Sequence, residues 1–282
     1  MSLLLNSLKS KIQTWNRQRI SRHREDRETR SQYDHVLGVL GIMKNEAMNI
    51  DEWVQHYVSM GAGKIFLIDN GSTDDTLAKA QIWIDKGVVE LVQYPERHYQ
   101  KKHYWAAFKH FQIAQRCQWL LVADLDEFWF CPCGETIVEQ LRDFRAYDVI
   151  YANWRNFGNN GVDKHPASIR QAFTLSAPTL YFHTERKYIC RTAVVKSRQS
   201  LEIHAVTGAR SERTVSDNER FNLNHYVVQS LEFFRDVKMT RGNASSHSET
   251  SVRNMEYFQR FDAPCTMPNH LLADLVASGK IK

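Results

Sequence analysis

Asp124, Leu125, Asp126 and Glu127 directly follow the apolar run 119–123, and the spacing of these acids is the first chemical signal in the chain. Residues two apart in an extended segment point to the same side, so Asp124 and Asp126 present their carboxylates together while Leu125 turns into the core. Two adjacent carboxylates repel, and a bound divalent cation relieves the repulsion. Oxygen ligands with no Cys or His nearby in sequence suit Mg²⁺ or Mn²⁺. The bulky Phe128, Trp129 and Phe130 would surround the acids with apolar surface. The competing reading is a solvated acidic strand end that caps a helix before Glu135. A further acid, Asp69, stands at the end of the segment Lys64-Ile65-Phe66-Leu67-Ile68.

Elements that could hold these acids in place are legible upstream. From Val36 onward short apolar runs alternate with helical periodicity, the pattern of βαβ units and a largely parallel sheet. Strands are expected at 36–43, 64–68, 88–93, 119–123 and 148–153. Asn49 offers a helix N-cap with Glu52 three residues on, and Gly61 a stop. Further helices are expected from Ser72 or Thr73 to Gly87 and over 101–116. Beyond residue 153 the signals weaken, with strands expected at 187–196 and 222–228 and a helix at 231–240. In such open α/β sheets ligands bind beyond the carboxyl ends of the strands, where Asp69 and Asp124 to Glu127 lie.

Composition narrows the class. The chain has 282 residues, 43% hydrophobic and 24% charged, with only 12 Gly and 6 Pro, which excludes collagen-like and largely disordered readings. No apolar run approaches the roughly 18 to 20 residues needed to span a bilayer. The net charge of +5 resides in residues 1–30, where Leu4, Leu8, Ile12 and Trp15 form an amphipathic stripe among Lys and Arg. That segment suits an anionic membrane surface or a partner helix, or else docks on its own domain. The remainder is neutral, which argues against a nucleic-acid-binding body. Five cysteines, an odd number, and an N-terminus without signal-peptide features fit a reducing cytoplasm. Cys131-Pro-Cys133 has no second pair at zinc-ligand spacing.

Lys44-Asn45-Glu46, Ile68-Asp69-Asn70-Gly71-Ser72-Thr73-Asp74 and Asp124-Leu125-Asp126-Glu127-Phe128 together resemble GT-A glycosyltransferases of the family 2 type. Trp154-Arg155-Asn156-Phe157-Gly158 and Asn224-His225-Tyr226, with Ser230, Lys238, Arg241 and Gly242, more narrowly resemble the family 92 group and its bacterial relatives. The resemblance runs in order from about residue 36 to about 245. It departs at Val228-Gln229, where the group carries a basic residue. It divides the chain into a basic N-terminal segment (1–30), a GT-A domain (31–245) and a helical or looped extension (246–282). The fold implied is α/β, an open and mostly parallel sheet flanked by helices.

The same resemblance implies a nucleotide-diphosphate sugar donor, a glycan or lipid-linked acceptor hydroxyl, and Mn²⁺ or Mg²⁺ on the diphosphate. Asp126 would ligate the metal, Asp124 would stand near the ribose and metal, and His225 would complete the coordination. On an alternating strand His225 could equally be a satisfied core residue. Asp69 would accept from the base or ribose, or simply form a turn. Asn45 and Glu46 would hold the nucleotide, or cap the next helix. Gln100 and Tyr104 would line the donor site. Lys187, Lys238 and Arg241 would meet the diphosphate charge. Trp154 and Phe157 would stack on a sugar or pack in the core. An inverting transfer needs a base, for which Asp163 and Glu185 are the candidates. Two other classes share the paired acids: a metal-dependent nucleotidyl or phosphoryl transferase, and a non-catalytic glycan- or nucleotide-binding protein.

Overall fold

The computed structural model describes residues 32–178, 185–241 and 253–282. The expectations for residues 1–30 lie outside the described residues. Strands β1 (His35–Met43), β2 (Lys64–Asp69) and β4 (Cys117–Val122) are largely buried runs rich in Val, Leu and Ile, while β3 (Val89–Gln93), VELVQ, is a half-buried edge strand. Strands buried on both faces read as continuous apolar segments, which is why β1, β2 and β4 were expected, and the apolar residues at 88, 89, 91 and 92 mark β3. The sheet continues through β5 (Glu127–Phe130), β6 (Val149–Asn156), β8 (Arg186–Arg191), β9 (Thr214–Ser216) and β10 (Asn222–His225). The short β7 (Leu175–Ser176) pairs instead with β11 (Met267–Pro268).

The nine-stranded order is β3-β2-β1-β4-β8-β6-β10-β5, with β9 alongside β6. Pairs β1–β2, β2–β3, β1–β4, β6–β10 and β6–β9 are parallel, while β8 runs against β4 and β6, and β5 against β10. The chain moves outward from β1 through β2 to β3, then returns to the other side of β1 as β4. Connections leaving β1 and β4 therefore diverge, and a crevice opens at their carboxyl ends.

Helices α1 (Ile50–Ser59), α2 (Thr76–Asp85) and α3 (Gln100–His110) flank this half. The expected single helix 101–116 is broken because Gln112 adopts a left-handed φ of 53°, and a short turn, Ile113–Arg116, follows. Asn49 does not cap α1 through its side chain. Its amide donates to Glu46 instead, and Glu52 accepts from Ser168, Ile169 and Arg170. Strand β6 runs three residues past its expected end, because Trp154, Arg155 and Asn156 pair with Leu223, Asn224 and His225. Conversely β8 and β10 stop short of the ends expected for them.

Two large cores form, one on each sheet face, and a small third cluster gathers Val227, Val228, Phe234 and Phe258. One large core gathers Trp53, Tyr57, Leu121, Phe128 and Tyr226, and the other Leu40, Phe66, Tyr104, Phe108 and Tyr188. Gly41 permits the first: a Cβ there would meet Trp53 at 3.1 Å and the Ala123 carbonyl oxygen at 3.2 Å. Residues 231–241 form one helix, α4, whose middle turn Phe234–Lys238 is a π-turn. After it, α5 (Met255–Asp262) packs Phe258 on Phe234, and α6 (Leu271–Ala277) completes the described chain.

Candidate active site

The acidic segment is a tight turn, not the extended stretch expected from its spacing. The Glu127 N–H donates to the Asp124 carbonyl at 3.0 Å, and β5 then departs as an antiparallel strand. One face of α1 grips that turn. Trp53 Nε1 donates to the Asp124 carbonyl (2.9 Å), Tyr57 Oη to the Glu127 carbonyl (3.0 Å), and His56 Nε2 lies 2.8 Å from the Trp129 carbonyl. Positions i, i+3 and i+4 of a helix share one face, so a single helix fixes three successive points of the acidic loop.

Asp124 and Asp126 both line the crevice, yet each meets its own cation. Lys187 Nζ, fully buried, lies 2.8 Å from Asp124 Oδ2 and 3.5 Å from Glu127 Oε1. Lys238 Nζ, also buried, donates to Asp126 Oδ2 at 2.6 Å and to the Val227 carbonyl at 2.5 Å. Burial opposes ionisation of both aspartates, but Lys187 and Lys238 outweigh it and hold both carboxyls below their ordinary range. Glu127 goes the other way, pushed well above the carboxylate range by burial. Burial likewise draws Lys238 down to about 8 against the pull of Asp126. Neither lysine faces the crevice, so both neutralise carboxylates where a diphosphate contact was expected. That placement follows from the cost of burying an unpaired charge.

The second oxygen of Asp126 is turned to a different group. Oδ1 stands 3.7 Å from His225 Nε2, too far for a hydrogen bond and near enough for one ion to touch both atoms. His225 Nδ1 lies 2.9 Å from Asn156 Oδ1. An amide oxygen only accepts, so Nδ1 carries the proton and Nε2 presents a lone pair. The Trp154 indole packs on the imidazole at 4.1 Å between centroids. Asp126, Glu127 and His225 are the three ligating residues that converge among the described residues. The pair of a carboxylate oxygen and a bare imidazole nitrogen fits Mn²⁺ or Mg²⁺. Asp124, which also lines the cleft, has Oδ2 on Lys187 Nζ at 2.8 Å and accepts from the Tyr104 hydroxyl on Oδ1 at 3.3 Å.

Around this centre lies a cleft of about 300 Å³. Glu46, Gln100, Glu185 and Arg241 line it, as expected. Glu46 is held by Arg241, which also donates to the Lys44 carbonyl at 2.8 Å. Gln100 donates to the Tyr104 hydroxyl at 2.9 Å. Asn45 and Asp69 stand behind the wall. Asn45 accepts from the Thr73 N–H at 2.8 Å and its own N–H donates to Ser72, stitching two loops together. Asp69 accepts from the backbone N–H of Gly71 and Ser72, so its carboxylate shapes the turn that offers Asn70 to the cleft. Asp163 is exposed away from the cleft, where its carbonyl accepts the Glu232 N–H. Phe157 is core, packed on Tyr226.

Several lining residues were given no role by the sequence, although Lys44 stands in the Lys44-Asn45-Glu46 motif. Lys44 and Arg97 face the cleft without an ion-pair partner among the described residues. Burial, then the neighbouring Arg97, lowers the Lys44 pKa. His204 arrives from a segment without clear periodicity. Arg253, Tyr257 and Phe261 arrive from the C-terminal extension. Cys131 and Cys133 remain free thiols, one buried and one exposed.

An open, mostly parallel α/β sheet with an acidic turn at the crevice between its first and fourth strands is the architecture of the GT-A fold. The family model for Glycosyltransferase family 92 matches residues 36–262, and the chain belongs to that family. It is 24% identical over 222 residues to a family 92 protein of Ricinus communis, covering 73% of this chain and 38% of that one. A family 92 protein of Oryza sativa subsp. japonica is 25% identical over 211 residues, covering 72% and 35%. The chain thus spans less than two fifths of either relative. Among solved structures, S. aureus TarS 1–349 in complex with UDP-GlcNAc is 16% identical with a TM-score of 0.46, covering 80% of this chain and 64% of that one. GalNAc-T7 with UDP, GalNAc and Mn²⁺ is 10% identical with a TM-score of 0.42, covering 81% and 56%.

Proposed function

We propose that this protein moves a sugar from a nucleotide-diphosphate donor to an acceptor hydroxyl, with inversion, using a divalent cation held by Asp126 and His225. The observation that carries the reading is the facing pair Asp126 Oδ1 and His225 Nε2, 3.7 Å apart, in a cleft that also presents Lys44 and Arg97, cations without an ion-pair partner among the described residues. When bound, the cation, Mn²⁺ or Mg²⁺, would offset the diphosphate charge and stabilise the departing nucleotide. The imidazole nitrogen favours Mn²⁺ of the two. Lys44, Arg97 and Arg241 give the diphosphate its remaining counter-charge, and Asn70 and Gln100 offer polar contacts to the nucleoside end. Trp154 offers the sugar an aromatic edge.

Surface polysaccharide or lipid-linked glycan synthesis at the cytoplasmic face of a membrane suits such an enzyme, with the basic segment 1–30 contacting anionic lipid. Pelleting with anionic vesicles, compared for the full chain and a chain lacking residues 1–30, tests that placement. The enzymatic reading is tested by calorimetric titration of UDP with and without Mn²⁺. UDP should bind far more tightly with the ion, and Asp126→Asn should lose more than about tenfold in Mn²⁺ affinity. A preference for nucleoside triphosphates over diphosphates would favour nucleotidyl transfer instead.

A further inference from the structure

His204 is a histidine in the cleft for which the foregoing reading has no use. Its Nδ1 lies 3.0 Å from the Arg186 carbonyl oxygen. A carbonyl only accepts, so Nδ1 carries the proton and Nε2 carries the lone pair. That nitrogen has no hydrogen-bond partner among the described residues, and the side chain lines the cleft beside Trp154, Glu185 and Ile203. The ring is fixed a second time by edge-on contact with Trp154, at 5.2 Å between centroids. The same indole touches His225, so His204 and the metal-side histidine are at most two ring contacts apart.

We propose that His204 is the general base of the transfer, taking the acceptor's proton on Nε2. The acceptor oxygen forms its bond to the anomeric carbon as the bond from that carbon to the phosphate oxygen breaks. The electron pair of the broken bond leaves with the nucleoside diphosphate. The proton moves from the hydroxyl to Nε2, and the resulting imidazolium keeps its Nδ1–H on the Arg186 carbonyl. Burial and then Lys187 lower the His204 pKa, while the Arg186 carbonyl, Asp124 and Glu185 act the other way. The resting imidazole is therefore neutral near pH 7, the state a base requires. Of the two carboxylates suggested by the sequence, Asp163 is outside the cleft. The Glu185 carboxylate lines it, with no hydrogen bond or ion pair among the described residues to fix its direction.

The inference rests on the glycosyl-transfer reading, and the experiment separates the two. UDP release from UDP-glucose, UDP-galactose and UDP-GlcNAc with Mn²⁺, water serving as acceptor, is followed across pH 5.5 to 9, alongside calorimetric UDP binding. In His204→Gln, kcat should fall by about 10²- to 10⁴-fold. Its donor KM and UDP affinity should stay within about twofold, and the acid limb of the kcat profile should disappear. Added imidazole should restore part of the rate in His204→Ala, which a folding defect would not allow. Glu185→Gln should keep the acid limb. A His204→Gln variant with wild-type kcat, or loss of the limb in Glu185→Gln alone, overturns the assignment of the base and leaves the transfer reading standing. Wild-type protein that binds no UDP and cleaves no donor overturns both.

Discussion

Asn156 Oδ1 stands 2.9 Å from His225 Nδ1, on the side of the imidazole away from Asp126, and so fixes which nitrogen is free. Lys238 does the corresponding work on the carboxylate by occupying Oδ2 and leaving Oδ1 towards His225. Outer partners of this kind typically contribute 10- to 100-fold in metal affinity. Asn156→Ala should therefore weaken Mn²⁺ binding by about that factor. Asn156→Asp, which still accepts from Nδ1–H, should retain it. Titration of Mn²⁺ by electron paramagnetic resonance reads this directly. Equal affinity in the alanine variant would mean that His225 is not a ligand.

A different dependence governs Lys187. It is completely buried and serves Asp124 and Glu127 together. Removing one partner from a buried ion pair typically costs about 3–5 kcal/mol, because the remaining charge stays unpaired. Lys187→Met should lower stability by that order, read from the urea midpoint of unfolding. Adding Asp124→Asn to the same chain should recover part of the loss. If the single variant melts like wild type, the cluster is better solvated than its burial indicates.

How far the sequence anticipates this arrangement depends on the kind of signal. Strands β1, β2 and β4 are apolar runs buried on both faces, so they and the acids at their ends are legible without tertiary knowledge. His225 is reachable through the resemblance. The partners of the acids are not: Lys187 and Lys238 read as candidate phosphate contacts, because spacing carries no information on which cation a buried carboxylate will take. Asp69 has an ordinary role in its own turn, which local chemistry anticipates equally well. His204 and Arg253 reach the cleft only through long-range packing, from segments with no helical or strand period. The extra residues of β6 are set by their pairing with β10, sixty-nine residues away in the case of Asn156 and His225.

The C-terminal wall of the cleft rests on a small residue. A Cβ at Gly158 would stand 2.7 Å from Asp262 Oδ1 and 2.8 Å from Cys265 Cβ. That aspartate ends α5 and accepts the Asn159 N–H at 2.6 Å. Gly158→Ala must push α5 outward, and Tyr257 and Phe261 on it line the cleft. Overpacking of this kind costs about 1–3 kcal/mol. A shift of about 1 Å in such a wall can cost up to about 100-fold in turnover. Stability and donor turnover should therefore fall together in Gly158→Ala. Wild-type turnover with reduced stability would show that α5 does not shape the donor or acceptor site.

The acid limb of stability should trace in part to Asp148 at the foot of β6. Arg213 grips it with two bonds, Nε to Oδ2 at 2.7 Å and Nη2 to Oδ1 at 2.8 Å, just before β9 pairs with β6. This bidentate contact holds the Asp148 carboxyl below its ordinary range against some opposition from burial. A carboxyl whose folded pKa is depressed contributes stability above its unfolded value, about 4, and loses it as pH falls through the folded one. Urea unfolding of wild type and Asp148→Asn across pH 3 to 7 should show a gap that is full and constant above pH 5. The gap should close progressively below pH 4, as the native carboxylate takes up its proton and the two proteins become alike. A gap of the same size at pH 3 and pH 7 would assign the loss to packing around Arg213, not to the charge on Asp148.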